Sequence, residues 1–306
     1  MNNNIKQSLP GHAAMFLCNV LWGMMSPISK DALNYFATHD ISPVILPSLR
    51  MLGAGVCFWI LSLFTPHEHV PRADKMRLFL AGLLSVALNQ NLFVCGVAFT
   101  SPIDASVITT LLPIATMLLA AVVLREPISH LKAGGVLVGM TGAVLLILSG
   151  GVGLSLDHQH ALGDIMCMTA QVSFACYLVF FRDIMGRYNP VTLMKWMFLS
   201  ASIVVLPFTG PTIYRVDFAA MPTPILLDIA YVVFVATFVT FLLVPIGQKR
   251  LRPTVVSAYN YVQPVVATVL SLIIGVATFG WVKALAVALV FTGVIMVTRS
   301  KARQNS

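Results

Sequence analysis

Charge is what this sequence lacks. Of 306 residues only 19 are Lys or Arg and 11 are Asp or Glu, a charged share of 10%, against about 25% in soluble globular proteins. A soluble fold of this size could not cover its surface with so few charges, which excludes a soluble enzyme. The 58% hydrophobic content excludes a disordered chain as well. Cysteine is sparse: Cys18, Cys57, Cys95, Cys167 and Cys176 all sit in apolar stretches and none forms a CxxC pair. That excludes a secreted disulfide scaffold and reads as small buried hydrophobes. His67-Glu68-His69 and the pair His158 and His160 fall in loops, a weak pattern for metal binding, so neither a metal nor any other cofactor is expected. The net charge of +8 has no basic stripe behind it, so nucleic acid is not an expected partner. The charge is better explained by membrane topology.

What is present in quantity is apolar sequence, with a mean hydropathy of +0.88. A helix needs roughly 20 apolar residues to cross the hydrocarbon core. Ten candidate spans meet that need, at about 11–33, 43–64, 77–99, 102–124, 131–149, 162–185, 191–209, 224–248, 253–275 and 281–299. Short loops join them, and no length remains for a soluble domain. The first apolar run continues through Trp22–Pro27 into Lys30-Asp31 without the small-residue site of a cleaved signal peptide, so it reads as a retained span. With the N-terminus inside, the inner segments hold Lys6, Arg72, Lys75, Arg77, Arg125, Lys132, Arg182, Arg187, Lys249, Arg250, Arg252, Arg299, Lys301 and Arg303. The outer segments hold only Lys30, Arg215 and Lys283. This asymmetry predicts both termini on the cytoplasmic side and an even number of spans.

The chain also matches itself. At an offset of 151 positions Ala105–Val144 falls on Val256–Ile295 without a gap, pairing Ser106 with Ser257, Pro113 with Pro264, Lys132 with Lys283, Thr141 with Thr292 and Gly142 with Gly293. At an offset of 152 Gly11 meets Gly163, Asn19 meets Gln171, and Lys30-Asp31 meets Arg182-Asp183. Each half then holds five spans, at 1–150 and 151–306. Five is odd, so the second half enters the membrane from the opposite side. The expected fold is therefore an all-α integral membrane protein of ten transmembrane helices in two inverted five-helix repeats, the plan of many secondary transporters.

Polar groups deep in lipid are costly and mark candidate sites. The deep set consists of amides: Asn19 in the first span, Asn89, Gln90 and Asn91 in the third, Gln171 in the sixth, Asn260 and Gln263 in the ninth. No Asp or Glu lies mid-span; Asp104, Asp164 and Asp228 are all near span ends. Successive helical residues point about 100° apart, so at least one of Asn89, Gln90 and Asn91 faces protein or water. That role is either substrate contact or interhelical hydrogen-bond glue. Ser106, Thr110 and Pro113 share one helix face, as do Ser257, Tyr261 and Pro264. The matched prolines remove backbone hydrogen bonds and suit either simple kinks or two gates. Trp22, Tyr177 and Tyr231 lie deeper than interfacial anchors and, with Tyr261, suit a cavity wall or core packing. Arg50 sits about seven residues, roughly 10 Å, into the second span. It can meet a substrate carboxylate or snorkel outward. Lys30-Asp31 and Arg182-Asp183, at opposite faces, are candidate gate latches or ordinary interfacial charge.

These residues resemble a known family. Asn19-Val20-Leu21-Trp22-Gly23 with Ser29-Lys30 is similar to the first-span signature of the EamA branch of the drug/metabolite transporter superfamily. Asn89-Gln90-Asn91-Leu92-Phe93, Gly96, Thr100-Ser101, Ala105-Ser106 and Leu112-Pro113 resemble its third-to-fourth-span segment, and Arg125-Glu126-Pro127 its acidic turn. The last stretch also resembles plant nodulin-21-like amino-acid exporters. The second half departs from the pattern, with Ala277-Thr278 where the family often repeats the acid. The resemblance covers essentially the whole chain. It implies a ten-helix exporter of small metabolites and favours Asn91 as a substrate contact. Members carry amino acids, nucleosides, nucleotide sugars or drugs.

The functional expectation is a secondary transporter and exporter of amino acids or related zwitterionic or neutral compounds, working by alternating access. The alternative within the class is a multidrug or nucleotide-type metabolite carrier. An intramembrane enzyme would need acidic magnesium-binding clusters, HExxH, deep paired carboxylates or a Ser with its base, and none occurs. A channel or sensor fits inverted, broken-helix halves less well. The expected partners are a small-molecule substrate and the lipid bilayer, the chain is compatible with a monomer, and the expected location is a bacterial inner membrane.

Overall fold

A computed structural model describes residues 3–99, 108–148, 158–273 and 280–300. Thr100, Ser101, Asp104, Ala105, Ser106, Ala277, Thr278 and the side chain of Lys30 lie outside the described residues.

All regular structure among the described residues is helical. The α-helices are α1 Asn3–Thr38, α2 Ile45–Ser62, α3 Arg72–Gly82, α4 Asn89–Phe99, α5 Leu112–Val123, α6 His130–Leu148, α7 His158–Phe180, α8 Arg182–Met185, α9 Pro190–Tyr214, α10 Thr223–Ala230, α11 Thr240–Arg250, α12 Pro253–Ala258, α13 Val262–Ile273 and α14 Trp281–Arg299. Two π-helical turns, Leu83–Leu88 and Tyr231–Val239, join α3 to α4 and α10 to α11. A 3-10 turn, Tyr259–Tyr261, joins α12 to α13.

Among the described residues six segments are long and apolar enough to cross a membrane: Ile45–Ser62, Arg72–Gly96, Ala161–Phe180, Pro190–Tyr214, Thr223–Arg250 and Trp281–Arg299. Leu112–Val123 and His130–Leu145 are shorter apolar helices. The outer surface carries exposed Phe64, Val122, Phe208, Ile273 and Trp281. Such a surface would aggregate in water and suits lipid. The protein is an all-α integral membrane protein.

Local sequence explains several helix ends. Asn189 caps α9 by accepting the amide of Val191 at 3.0 Å, and Pro190 opens the helix where its missing N–H costs nothing. Pro113 likewise lies at the start of α5 rather than mid-helix. Pro264 falls in the first turn of α13, just after the 3-10 turn. The matched prolines thus each follow a non-α interruption and restart a helix, a sharper break than a proline kink within one continuous helix.

The packing pairs follow the sequence offset. α1 packs on α11 as α7 packs on α4, and α1 on α13 as α7 on α5. α3 packs on α9 as the second π turn packs on α2, while α2–α9 and α6–α14 join counterparts to each other. Gly142 and Gly293 both lie at the crossing of α6 and α14. A Cβ on Gly293 would lie 2.4 Å from the amide nitrogen of Gly139, and one on Gly142 would lie 2.7 Å from the carbonyl of Ala286. The two backbones touch, and only glycine admits that.

One large buried cluster runs through the bundle and includes Met15, Met51, Phe58, Leu112, Phe174, Tyr177, Phe198, Phe241 and Tyr261. A smaller one, built on Phe36, Ile45, Met221 and Val232, lies toward the end of the bundle where α1 finishes.

Candidate functional site

The second π turn organises the middle of the bundle. A π turn takes its carbonyls off the i to i+4 ladder and frees them for other donors. The carbonyl of Ala236 accepts the indole Nε1 of Trp22 at 2.9 Å and the Thr240 hydroxyl at 2.8 Å. The next residue, Thr237, donates its hydroxyl to the carbonyl of Val232 at 2.7 Å and accepts Arg50 Nε at 2.8 Å. The Tyr231 hydroxyl donates to the carbonyl of Leu21 at 3.1 Å. One turn therefore bonds both Trp22 of α1 and Arg50 of α2, through consecutive residues. Rings close the space around the indole: Phe174 at 6.4 Å and Phe241 at 6.1 Å, both edge-on.

Beside this turn three of the expected amides meet. Gln263 Nε2 donates to Asn19 Oδ1 at 2.9 Å and to Asn260 Oδ1 at 3.1 Å, and Asn19 Nδ2 donates to the carbonyl of Met15 at 2.8 Å. This network joins α1 to the 3-10 turn and α13. Thr110 is buried in the turn just before α5.

The triplet in α4 divides its work. Asn89 Nδ2 donates to the carbonyl of Ala170 on α7 at 2.9 Å, which is interhelical glue. Asn91 Nδ2 donates to the carbonyl of Ala87, in the first π turn, at 2.7 Å and reaches Met51 Sδ at 4.0 Å. Gln90 is buried, and neither its Oε1 nor its Nε2 has a partner among the described residues.

The charge pattern of the site is one-sided. Arg50 uses Nε on Thr237, and its terminal nitrogens form no hydrogen bond or ion pair with a described residue. The ion-paired acids among the described residues are Asp74, Glu126 and Asp183, and none of them pairs with Arg50. A guanidinium at this depth is costly without a counter-charge, so the arrangement favours an anionic group arriving from outside the protein.

Other expected site residues lie elsewhere. The buried Tyr177 hydroxyl donates to Gln248 Oε1 at 2.8 Å, tying α7 to α11. The Tyr261 hydroxyl donates to the carbonyl of Val136 on α6 at 3.1 Å. Arg182 and Asp183 belong to a strap across the end of the bundle that bears the N-terminus. Arg77 meets Asp183 at 2.6 Å, Arg187 meets Asp183 at 3.2 Å and Asp74 at 3.7 Å, and Arg182 faces Glu126 at 3.6 Å. Tyr188 donates to Asp74 at 2.5 Å, a bond that raises its phenol above the ordinary value. At the other end Asp31 is exposed.

Three features escaped sequence reading: the π turns, the role of Thr237 as the partner of Arg50, and the buried pair of Lys132 with Glu126 at 3.0 Å. Only the last left a local signal, a lone acid and a lysine six residues apart around a turn.

The EamA-like transporter family model matches the chain twice, over residues 9–148 and 161–299. An uncharacterized transporter of Archaeoglobus fulgidus is 25% identical over 63% of this chain, and the match spans 64% of that protein. The uncharacterized transporter YyaM of Bacillus subtilis is 21% identical over 94% of this chain and 95% of its own length. A probable amino-acid metabolite efflux pump of Escherichia coli is 26% identical over 72% of each chain. A protein of known crystal structure shares the fold, with a TM-score of 0.77 at 18% identity, covering 97% of this chain and 98% of that one.

Proposed function

The chain belongs to the EamA-like transporter family, a membrane transporter and not an enzyme, and we propose that it exports amino acids or related zwitterionic metabolites by alternating access. The proposal includes ten spans in two inverted halves, 1–150 and 151–306, with both termini in the cytoplasm of a bacterial cell. Two observations support that architecture: the family model matches each half once, and helices related by the 151- and 152-position offsets keep corresponding neighbours. The Lys and Arg asymmetry supports the orientation.

The observation that carries the substrate class is that Arg50 and Trp22 bond to consecutive residues of one π turn, with the terminal guanidinium nitrogens of Arg50 paired to no acid among the described residues. A carboxylate fits the guanidinium fork, and the rings of Trp22, Phe174 and Phe241 suit an apolar side chain. Asn19, Asn260, Gln263, Asn89, Gln90, Asn91, Gln171, Thr110 and Tyr231 are the proposed polar and aromatic lining, and Tyr177 and Tyr261, whose hydroxyls are bonded away from the second π turn, are proposed as its outlying walls. Pro113, Pro264, Lys30, Asp31, Arg182 and Asp183 are the proposed gate elements. In this reading the strap around Asp183 opens and re-forms once per cycle. The efflux-pump relatives support export as the direction.

The test is counterflow in proteoliposomes preloaded with neutral amino acids, nucleosides, nucleotide sugars or cationic drugs, paired with thermal shift of the purified protein. A ligand that binds only the folded state raises its melting temperature. Counterflow and stabilisation by neutral amino acids are expected. Activity confined to nucleosides, nucleotide sugars or cationic drugs would refute the amino-acid reading and favour the multidrug or nucleotide-type carrier.

A further inference from the structure

Building on the transporter reading above, we infer that Gln90 and Gln171, together with Arg50, form the polar cradle of the substrate, and that the substrate is an α-amino acid with an uncharged apolar side chain. Gln90 is only 6% exposed, and both polar atoms of its side chain are buried without a partner. An amide so placed has lost its water and gained nothing in return. Its neighbours make the omission specific. Asn89 donates to the carbonyl of Ala170 and Asn91 to that of Ala87, so Gln90 is the member of the triplet with neither polar atom bonded.

The Asn89–Ala170 bond also sets the level of Gln90 against α7. It joins α4 to α7 at the level where Gln90 and Gln171 each follow a bonded residue. Gln171 is 7% exposed and makes no hydrogen bond with a described residue. Its counterpart at the 152-position offset is Asn19, whose amide is engaged by Gln263. The counterpart of Gln263, at the 151-position offset, is Leu112, which has no side-chain donor. The amide network is therefore closed on one half and open on the other. The contact of Asn91 with Met51, the residue after Arg50, brings α2 to α4 at this same level.

The chemistry of the open side is legible. The terminal nitrogens of Arg50 donate to a carboxylate. The two glutamine oxygens accept ammonium protons, and the glutamine nitrogens donate to a second carboxylate oxygen. The buried residues described include no acid that would pair with a cationic side chain.

The experiment uses the full-length purified protein and the variants Gln90→Leu, Gln171→Leu and Arg50→Gln. Binding is read by tryptophan fluorescence with three probes: L-leucine, 4-methylpentanoate, which lacks the amine, and 3-methylbutylamine, which lacks the carboxylate. The expected order for the unmodified protein is leucine tightest, the acid weaker and the amine weakest. Each Gln→Leu change should weaken leucine about tenfold, the scale of one or two lost hydrogen bonds. It should leave the melting temperature unchanged or raised, because no internal bond is lost. Arg50→Gln should weaken leucine and the acid alike. Leucine binding within twofold of the unmodified protein in both Gln→Leu variants would overturn the inference, as would a clear drop in their melting temperatures. If none of the probes binds while another metabolite class is transported, the substrate class is wrong and the transporter stands. If no metabolite class moves at all, the function reading itself fails.

Discussion

Replacing Glu126 with Gln should damage the protein more than replacing its partner Lys132 with Met. Lys132 Nζ lies 3.0 Å from Glu126 Oε2, with the Lys132 side chain fully buried and Glu126 9% exposed. The acid is delivered by a tight turn. Arg125 takes a φ of 52°, and the Glu126 amide then bonds back to the carbonyl of Ala120 at 3.2 Å. Ser129 Oγ accepts the Lys132 amide at 3.2 Å and steadies the start of α6. The partners differ in what remains after each loss. Without Glu126 the ammonium is sealed in with no acid, and breaking a buried pair in this way costs about 3–5 kcal/mol. Without Lys132 the carboxylate still faces Arg182 at 3.6 Å, and that guanidinium is 38% exposed. The remaining pair softens the loss to roughly 1–3 kcal/mol. At about 2 °C per kcal/mol for a chain of this size, Glu126→Gln should lower the melting temperature by roughly 6–10 °C. The double variant removes both charges and should return to within about 2 °C of the unmodified protein. Thermal unfolding in detergent micelles, read as a double-mutant cycle, measures all three. A Lys132→Met loss equal to or larger than that of Glu126→Gln, or additive single losses in the double variant, would refute the reasoning.

Other changes reach the remaining parts of the argument. Asn91→Ala should lower substrate affinity while costing only about 1 kcal/mol of stability, since the bond to Ala87 stays within one helix; unchanged transport would make Asn91 purely structural. Trp22→Phe keeps the ring but loses the bond to the Ala236 carbonyl, which retains Thr240. Transport should fall with stability altered by no more than about 1 kcal/mol, and normal transport would remove the indole from the site. Gly293→Leu should separate α6 from α14, costing roughly 1–3 kcal/mol from overpacking together with transport, and a stable active variant would contradict the backbone contact there. An inward pH gradient by itself should drive little accumulation in vesicles, because the Glu126 carboxylate is held by Lys132 and Arg182 and no ion pair among the described residues brings an acid to Arg50; strong proton-driven uptake would show otherwise.

Much of this molecule could be read without coordinates, because lipid imposes a simple rule. Where charge is absent over twenty residues the backbone must satisfy itself, and a helix results. The helices over Ile45–Ser62 and Trp281–Arg299 follow directly. Gly142 and Gly293, which the offset pairs, both sit where the backbones of α6 and α14 touch. The deep amides and Arg50 were conspicuous for the same reason, since polar groups in an apolar span need a purpose.

Their purposes were not legible. Asn89, Gln90 and Asn91 are adjacent and chemically alike, yet one binds the next helix, one is left unpartnered and one binds its own helix. The deciding factor is which neighbour lies across each face of α4, and that is set by packing of α7, some eighty residues away. Arg50 meets Thr237, 187 positions on, only because a π turn rotates that hydroxyl toward α2. No residue type encodes such a turn. Local sequence thus determined the membrane class, the helical character of the chain and the set of polar residues. The pairing among those residues was decided by tertiary structure, because hydrogen bonds between helices depend on rotation and level, which the sequence of a single helix does not contain.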